Sequence, residues 1–157
     1  MADGATTPPI EIRALSRFDM VAVEAMFRQA YETVDWELPP YDGDHCWLKL
    51  IDASRKGMVA VAVCDGKLVG VLALQLAAWP WNPAAQFLEN EHFFVDVNYR
   101  RRGVARKLLD TAKTIADNAH MPLRITMTFG TDPEKLGRWG KINGLKVLGS
   151  NFLYPVK

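Results

Sequence analysis

The segment that most constrains the fold is residues 91–119, where an apolar stretch runs directly into an arginine-rich turn and a helical pattern. Residues 91–97 (EHFFVDV) are apolar at nearly every position, which predicts a strand buried on both faces. Residues 103–119 repeat apolar side chains along one helical face. That face comprises Val104, Leu108, Ala112, Ile115 and Ala119. A buried strand followed by an amphipathic helix predicts a sheet with helices packed against it.

Similar patterns predict the remaining elements. Apolar residues alternate with polar ones, or run together, at 10–15, 58–64, 67–77 and 123–129, and these segments are predicted strands. Asp65-Gly66 between two of them is a strong hairpin signal. Ser16 and Asp19 are positioned to cap a helix with apolar residues at Val21, Val23, Met26, Phe27 and Tyr31. Further helices are predicted over 42–54 and 132–142, a loop over 79–83, and a strand pair or hairpin over 145–149 and 151–156.

The order of the predicted elements, with no repeat, linker or second core, indicates a single domain of the α+β or α/β class with a mixed sheet. Length and composition are those of one ordinary domain. The chain has 157 residues, of which 49% are hydrophobic and 24% charged. We expect a flexible N-terminus over 1–9 and one domain over 10–157. The net charge of +1 gives no overall field for gathering nucleic acid or an anionic membrane.

Cysteines and histidines give no metal-site spacing. Cys46 and Cys64 lie far apart and the three histidines are scattered, so we expect no metal and two ordinary thiols. Free thiols suit a reducing compartment. The N-terminus resembles no signal peptide, and no window approaches the roughly 18 apolar residues of a membrane span. We therefore expect a cytoplasmic protein.

The chemistry of the chain is concentrated in the turn before the long helix. Gly103 at the helix start would let a ligand approach the backbone closely. The first N–H groups of a helix lack intrahelical acceptors and attract anions. Arg100, Arg101 and Arg102 stand beside them. A pyrophosphate site is one interpretation, and a loop of solvated arginines is the other.

The spacing Arg100-x-x-Gly103-x-Ala105 after a hydrophobic strand resembles the phosphate-binding signature of the GNAT N-acetyltransferase superfamily. The resemblance covers most of the chain and implies a single domain with a mixed, mostly antiparallel twisted sheet flanked by helices. It implies acetyl-CoA as co-substrate, with its pyrophosphate on the turn. The implied binding residues are Val95, Val97, Arg100, Arg101, Arg102, Gly103, Val104 and Ala105. The implied activity is direct acetyl transfer to a primary amine.

The resemblance also implies a proton acceptor at Glu91, where several family members carry a catalytic glutamate. A solvated carboxylate at the strand edge is the alternative interpretation. Glu89 lies closer to the loop, and strand alternation predicts that His92 points to the opposite face from Glu91. Neither Cys46, in a helix, nor Cys64, in a strand, is placed for a covalent intermediate.

The C-terminal helix departs from the family pattern. Trp139 stands where a tyrosine that protonates the leaving thiolate is usual, although Lys141 matches. A thiol with a pKa of about 8.5 is a tolerable leaving group, so turnover need not be lost. Packing is the simpler use for Trp139, and Tyr154 has no motif support as a substitute acid. A non-catalytic acyl-CoA-binding or protein-interaction module on the same fold is therefore the alternative function.

The acceptor is predicted to be an amine on a small molecule or peptide, without nucleic acid or membrane partners. Trp79 and Trp81 lie in a region that often lines the acceptor side in this family. They could instead cover the core or form a homodimer contact. The same alternatives hold for the segment containing Trp36, Glu37, Tyr41 and Asp42.

Overall fold

The computed structural model describes residues 8–34, 38–127 and 132–148. The strands are β1 (Ile10–Ala14), β2 (Val59–Cys64), β3 (Lys67–Trp79), β4 (Asn82–Val95) and β5 (Leu123–Arg124). The helices are α1 (Met20–Glu32), α2 (Gly43–Arg55), α3 (Val104–Ala119) and α4 (Pro133–Ile142). Short 3-10 turns precede α1 and follow β4.

The five strands form one sheet in the order β1-β2-β3-β4-β5. The first three pairings are antiparallel and the last, between β4 and β5, is parallel. The predicted class of a single α+β domain with a mixed, mostly antiparallel sheet is confirmed. The parallel pair is short: only Leu88 and Glu89 of β4 face Leu123 and Arg124 of β5.

The sheet is covered on both faces. One face packs against α1 and α2 through a core that includes Val23 and Leu50. The other packs against α3, whose Leu108 is fully buried. Burying such a side chain contributes about 1.5–3 kcal/mol. Val71 lies in the first cluster and Leu72 in the second, as the period of a strand requires.

Gly70 lets α3 approach the sheet closely. A Cβ at this position would lie 2.9 Å from Val104 Cγ1 and 3.0 Å from Leu108 Cδ1. Real Cβ atoms essentially never approach other atoms this closely, so a larger residue would push the helix away. Because Gly70 has no Cβ, the first turn of α3 can pack closely against β3.

Most local signals are confirmed. Asp65 and Gly66 have φ values of 51° and 73°, the positive angles of the hairpin turn that the dipeptide predicts. Asp132 caps α4 by accepting a hydrogen bond from the Glu134 N–H. The Ser16 hydroxyl caps the short 3-10 turn before α1.

Three predicted boundaries are wrong. Residues 79–83 form a tight hairpin instead of a loop, because Trp79 pairs with Asn82 and the strands continue to the turn. β4 therefore begins at Asn82, and it ends at Val95 because the Asp96 carboxylate caps a 3-10 turn over Val97–Tyr99. β5 covers only two residues of the predicted strand, because 125–127 have no regular structure, and 128–129 lie outside the described residues.

Other apolar positions differ from the helical patterns. Val21 is exposed, and Met20 and Ala30 take the buried side of α1. Ala119 is exposed at the end of α3, where Ala116 is buried instead. Residues 145–148 have no regular structure, and the rest of the predicted C-terminal strand pair lies outside the described residues. Within the described ranges, no helix is both long and apolar enough to cross a bilayer.

Candidate active site

The turn between β4 and α3 is held from inside by Asp96. Its N–H donates to the Val69 carbonyl of β3, and its carboxylate accepts hydrogen bonds from Asn98 and from Lys67 Nζ at 3.2 Å. Burial acts to raise the pKa of Asp96, but these hydrogen bonds outweigh it, so the pKa is lowered. A carboxylate that stays charged thus fixes where the turn leaves the sheet.

The first main-chain amides of α3 have no side-chain cap among the described residues. Gly103 is the N-cap residue in the left-handed conformation, with φ 81°, and no side chain of the described structure caps the helix there. The first helical amides therefore keep their capacity for an acceptor. A Cβ at Gly103 would meet no atom within 4 Å, so the space in front of this turn is open.

The three arginines are exposed around this turn. Arg100 donates from Nε to the Val95 carbonyl at 3.3 Å, and its guanidinium lies 5.9 Å from the Phe94 ring. Arg102 lies over Tyr99, 5.0 Å from the ring centre. Arg101 has φ 67°, an unusual value for a residue with a side chain. Cations and unpaired amides together make this turn suited to an anion.

The outer edge of β4 is open beside this turn. Because Asp96 N–H points to β3 and the direction of main-chain groups alternates along a strand, those of Val95 and Phe93 point the other way. β5 pairs with β4 only as far as Glu89, so no described strand covers Phe93 or Val95. Val97 lies beyond the strand in the 3-10 turn, so its amide is not part of this edge.

Glu91 lies at a bulge in β4. Ala73 of β3 faces His92 and the next residue, Leu74, faces Asn90, which leaves Glu91 as the extra residue. Its carboxylate is 18% exposed and lies 3.3 Å from Lys49 Nζ on α2. The predicted start of the strand at Glu91 is wrong, since nine residues of β4 precede it.

The prediction that His92 points away from Glu91 is also wrong. The His92 ring stacks on Phe27 of α1, with 4.0 Å between ring centres, and Lys49 of α2 binds Glu91. Helices α1 and α2 pack against the same face of the sheet. The bulge interrupts strand alternation and turns both side chains to that face. Burial lowers the pKa of His92, against the nearby charge of Glu91.

Glu89, the other candidate carboxylate on β4, already has side-chain partners. Arg124 of β5 forms an ion pair with it, and Gln75 donates to it at 3.2 Å. The Arg124 guanidinium also lies over the Phe87 ring. These contacts join β3, β4 and β5, which is a structural use for Glu89.

An open pocket of about 700 Å³ lies between α1 and α2. It is lined by Glu24, Arg28, Pro40, Tyr41, Asp42, Gly43, Asp44 and Trp47. Arg28 occupies one side, with its guanidinium paired to Glu24 at 2.8 Å and placed over the Tyr41 ring at 4.8 Å. The pocket therefore already holds one cation between a carboxylate and an aromatic ring.

Tyr41, which lines this pocket, and the neighbouring Cys46 have shifted pKa values. Burial raises the pKa of Tyr41 to about 12, and its buried hydroxyl has no hydrogen-bond partner among the described residues. Burial likewise raises the pKa of the Cys46 thiol, with the nearby carboxylates adding to the effect. The thiol is protonated at neutral pH and is a poor nucleophile. Cys64 is buried in β2.

The remaining predicted residues lie apart from Glu91. Trp79 and Trp81 stack on each other at the tip of the β3–β4 hairpin, with 5.2 Å between ring centres. Ala73 faces His92 beside Glu91, and Trp79 lies six residues further along β3, a rise of roughly 20 Å at about 3.4 Å per residue. Only an extended ligand would therefore contact both Glu91 and the two tryptophans. Trp36, Glu37 and Tyr154 lie outside the described residues.

Trp139 packs edge-on against Phe93, with ring centres 6.4 Å apart. Lys113 of α3 donates to the carbonyl of Asn143 at the end of α4, so the two helices are joined. The contact of Trp139 with Phe93 is the packing role that the sequence suggested for Trp139. Lys49, Asn90 and Trp47 were missed by sequence reasoning, because their neighbours come from other elements and no motif marks them.

The fold and site combine a mixed sheet, a strand edge that no described strand covers beyond Glu89, and an arginine-flanked helix start without a side-chain cap. The model of the acetyltransferase (GNAT) family matches residues 21–134. The chain belongs to this family, and it is accordingly an acetyltransferase. No curated protein matches the sequence.

Solved structures with the same fold include several acetyltransferases. The aminoglycoside enzyme AAC(6')-Iy, in complex with a bisubstrate analogue of CoA and acetylneamine, has a TM-score of 0.71 at 14% identity, covering 95% of this chain and 99% of that one. A ribosomal-protein-alanine N-acetyltransferase from Brucella melitensis has 0.67 at 16%, covering 94% and 99%. Arabidopsis thaliana Naa50, with a CoA–peptide bisubstrate analogue, has 0.63 at 15%, covering 89% and 85%. At these identities the likeness establishes the fold.

Proposed function

We propose that the chain transfers the acetyl group of acetyl-CoA directly to a primary amine. The observation that carries this proposal is that the part of β4 beyond its pairing with β5 runs towards the uncapped amides of α3. A ligand with amide groups at one end and a pyrophosphate at the other matches that arrangement, and acetyl-CoA has both. Membership of the acetyltransferase (GNAT) family supports the same ligand.

The turn residues would hold the pyrophosphate. Positive charge would come from Arg101 and Arg102, and Gly103, which has no Cβ, would let the pyrophosphate approach the backbone. The first amides of α3 would come from Val104 and Ala105. Arg100 would add charge from the side of β4. Phe93 and Val95 would extend strand-like hydrogen bonds to the pantetheine arm. Val97, in the 3-10 turn, would contribute side-chain contact only.

Glu91 would remove a proton from the acceptor ammonium, directly or through water. The freed amine attacks the thioester carbonyl, an N–C bond forms, the C–S bond breaks and the thiolate leaves. The second proton of the attacking nitrogen then passes to the departing thiolate or to water. Lys49 keeps the Glu91 carboxylate on the α1–α2 side of the sheet. The indole of Trp139 cannot serve as the usual tyrosine does, so the thiolate would leave without a proton from this position, which its pKa of about 8.5 permits.

The acceptor would enter from the pocket between α1 and α2. The Cys46 thiol on α2 is affected by the charge of Glu91 and by that of the pocket carboxylates Asp42 and Glu24, which supports a pocket close to the proposed base. Its carboxylates and aromatic rings favour a cationic acceptor. Relatives of the same fold are named for aminoglycoside and protein acceptors, which are amines in both cases.

Calorimetric titration with acetyl-CoA, followed by a screen of amines for CoA release, tests the proposal. We expect saturable binding below millimolar concentration and turnover with at least one cationic amine. Absence of binding would overturn acetyl-CoA as the ligand. Binding without turnover for a broad panel of amines, polyamines, aminoglycosides and peptides would favour the non-catalytic module instead.

A further inference from the structure

The separation of β4 from β5 is controlled by one side chain, Asn90. The last regular pair of the two strands is Glu89 with Arg124. Beyond it, the Thr126 N–H donates to Asn90 Oδ1 at 2.7 Å, and Asn90 Nδ2 donates to the Thr126 carbonyl at 2.8 Å. Both hydrogen-bonding groups of the Asn90 amide therefore bind one residue of the neighbouring segment.

This contact replaces a main-chain ladder. Leu88 N–H donates to the Pro122 carbonyl, and a parallel ladder continued from there would bring Thr126 N–H to the main-chain carbonyl of Asn90. The side-chain oxygen takes that place instead. The segment after β5 is thus held away from β4 by the length of an asparagine side chain.

The second hydrogen bond keeps the edge open further along. The bulge at Glu91 makes Phe93 the next residue of β4 whose N–H points to the outer edge. The Thr126 carbonyl is the acceptor nearest in register to it, and Asn90 Nδ2 already occupies this carbonyl. Phe93 and Val95 are left without a strand partner among the described residues.

We propose that Asn90 is a positioning residue that keeps the outer edge of β4 free to bind the pantetheine arm of the acyl donor. The inference rests on the proposed binding of acetyl-CoA. It assigns Asn90 no contact with the reacting atoms. Without its amide, the segment at Thr126 can close onto β4 and compete with the ligand for the main-chain groups of Phe93.

Asn90→Ala tests this because it should lower affinity for acetyl-CoA without lowering stability. We expect acetyl-CoA binding to weaken at least about tenfold, equivalent to one or two lost hydrogen bonds, while the melting temperature does not fall. Asn90→Asp, which keeps the acceptor for Thr126 N–H but places an oxygen against the Thr126 carbonyl, should lose affinity and also melt lower. Asn143→Ala is the matched control, since it also loses a side-chain bond to a main-chain carbonyl, that of Trp139.

Amide hydrogen exchange in the absence of ligand provides a second measurement. In Asn90→Ala the Phe93 amide should exchange at least several-fold more slowly than in the unmodified protein. An unchanged Phe93 exchange rate, or a lower melting temperature with affinity retained, would overturn the inference. If the unmodified protein fails to bind acetyl-CoA, the proposed function fails, and the exchange of Phe93 still decides whether Asn90 holds the edge open.

Discussion

The turn at residues 100–105 and the pocket between α1 and α2 form the two ends of the proposed site, with opposite charge and different construction. The turn is contiguous in sequence, carries three arginines, and presents main-chain amides at the start of α3. The pocket draws carboxylates and aromatic rings from two helices and the segment between them. One end thus depends on backbone conformation and the other on side-chain charge, so different substitutions should affect each.

The largest effect is expected for Gly103→Trp, which should abolish acetyl-CoA binding measured by calorimetry. The side chain would fill the open space in front of the turn. Gly57→Trp is the control, because Gly57 at the end of α2 has φ +69° and equally open surroundings. Both variants carry a left-handed strain of about 1–2 kcal/mol, so both should melt lower. Equal loss of binding in the two would show that strain, not the site, is responsible.

Next in size is Glu91→Gln, which should reduce kcat by about 10²-fold or more and leave acetyl-CoA affinity nearly unchanged, since a general base contributes at least that much. Glu89→Gln is the matched variant on the same strand, and we expect it to lower stability through the lost ion pair with Arg124. A greater loss of kcat in Glu89→Gln than in Glu91→Gln would reverse the assignment of the base.

A smaller effect should follow from Asp44→Asn, because Asp44 is a pocket carboxylate that neither forms an ion pair nor caps a helix among the described residues, whereas Glu24 pairs with Arg28 and Asp42 caps α2. With a cationic acceptor, KM should rise roughly two- to fivefold at low salt, as for one exposed charge, and kcat should not change. Added salt should shrink the difference. Asp52→Asn, on the same helix but paired with Lys56, should leave KM unaffected. A KM that responds equally to both changes would exclude the pocket from acceptor recognition.

The smallest effect is expected for Cys46→Ala, which should keep turnover within about twofold if transfer is direct. Burial raises the pKa of this thiol, so little thiolate is present at neutral pH. Steady-state kinetics with both substrates varied should give intersecting lines. Parallel lines together with loss of activity in this variant would indicate an acetyl-cysteine intermediate near the acceptor end.

Local signals in the sequence predicted most of the fold. Asp65-Gly66, the cap at Asp132 and the apolar face of α3 act through neighbours a few residues away, and they were confirmed except for Ala119. Ser16 caps the 3-10 turn before α1 instead of α1 itself. The turn with Arg100 and Gly103 could be read for the same reason, since a helix start and its flanking charges are contiguous. Strand ends were less predictable, because Asn82 and Val95 bound β4 through pairing with β3 and the Asp96 cap.

The acceptor end was decided by tertiary structure alone. Which face Glu91 and His92 share depends on a bulge, which is set by pairing with Ala73 and Leu74 and leaves no mark in the sequence of β4. Lys49 reaches Glu91 only because α2 packs on that face. The sequence by itself therefore determined most of the elements and the arginine-rich turn before α3, because these follow from interactions between near neighbours. The placement of Glu91 beside Lys49, of His92 on Phe27 and of the unpaired end of β4 follows from contacts between residues distant in the chain. Only the folded sheet brings these residues together.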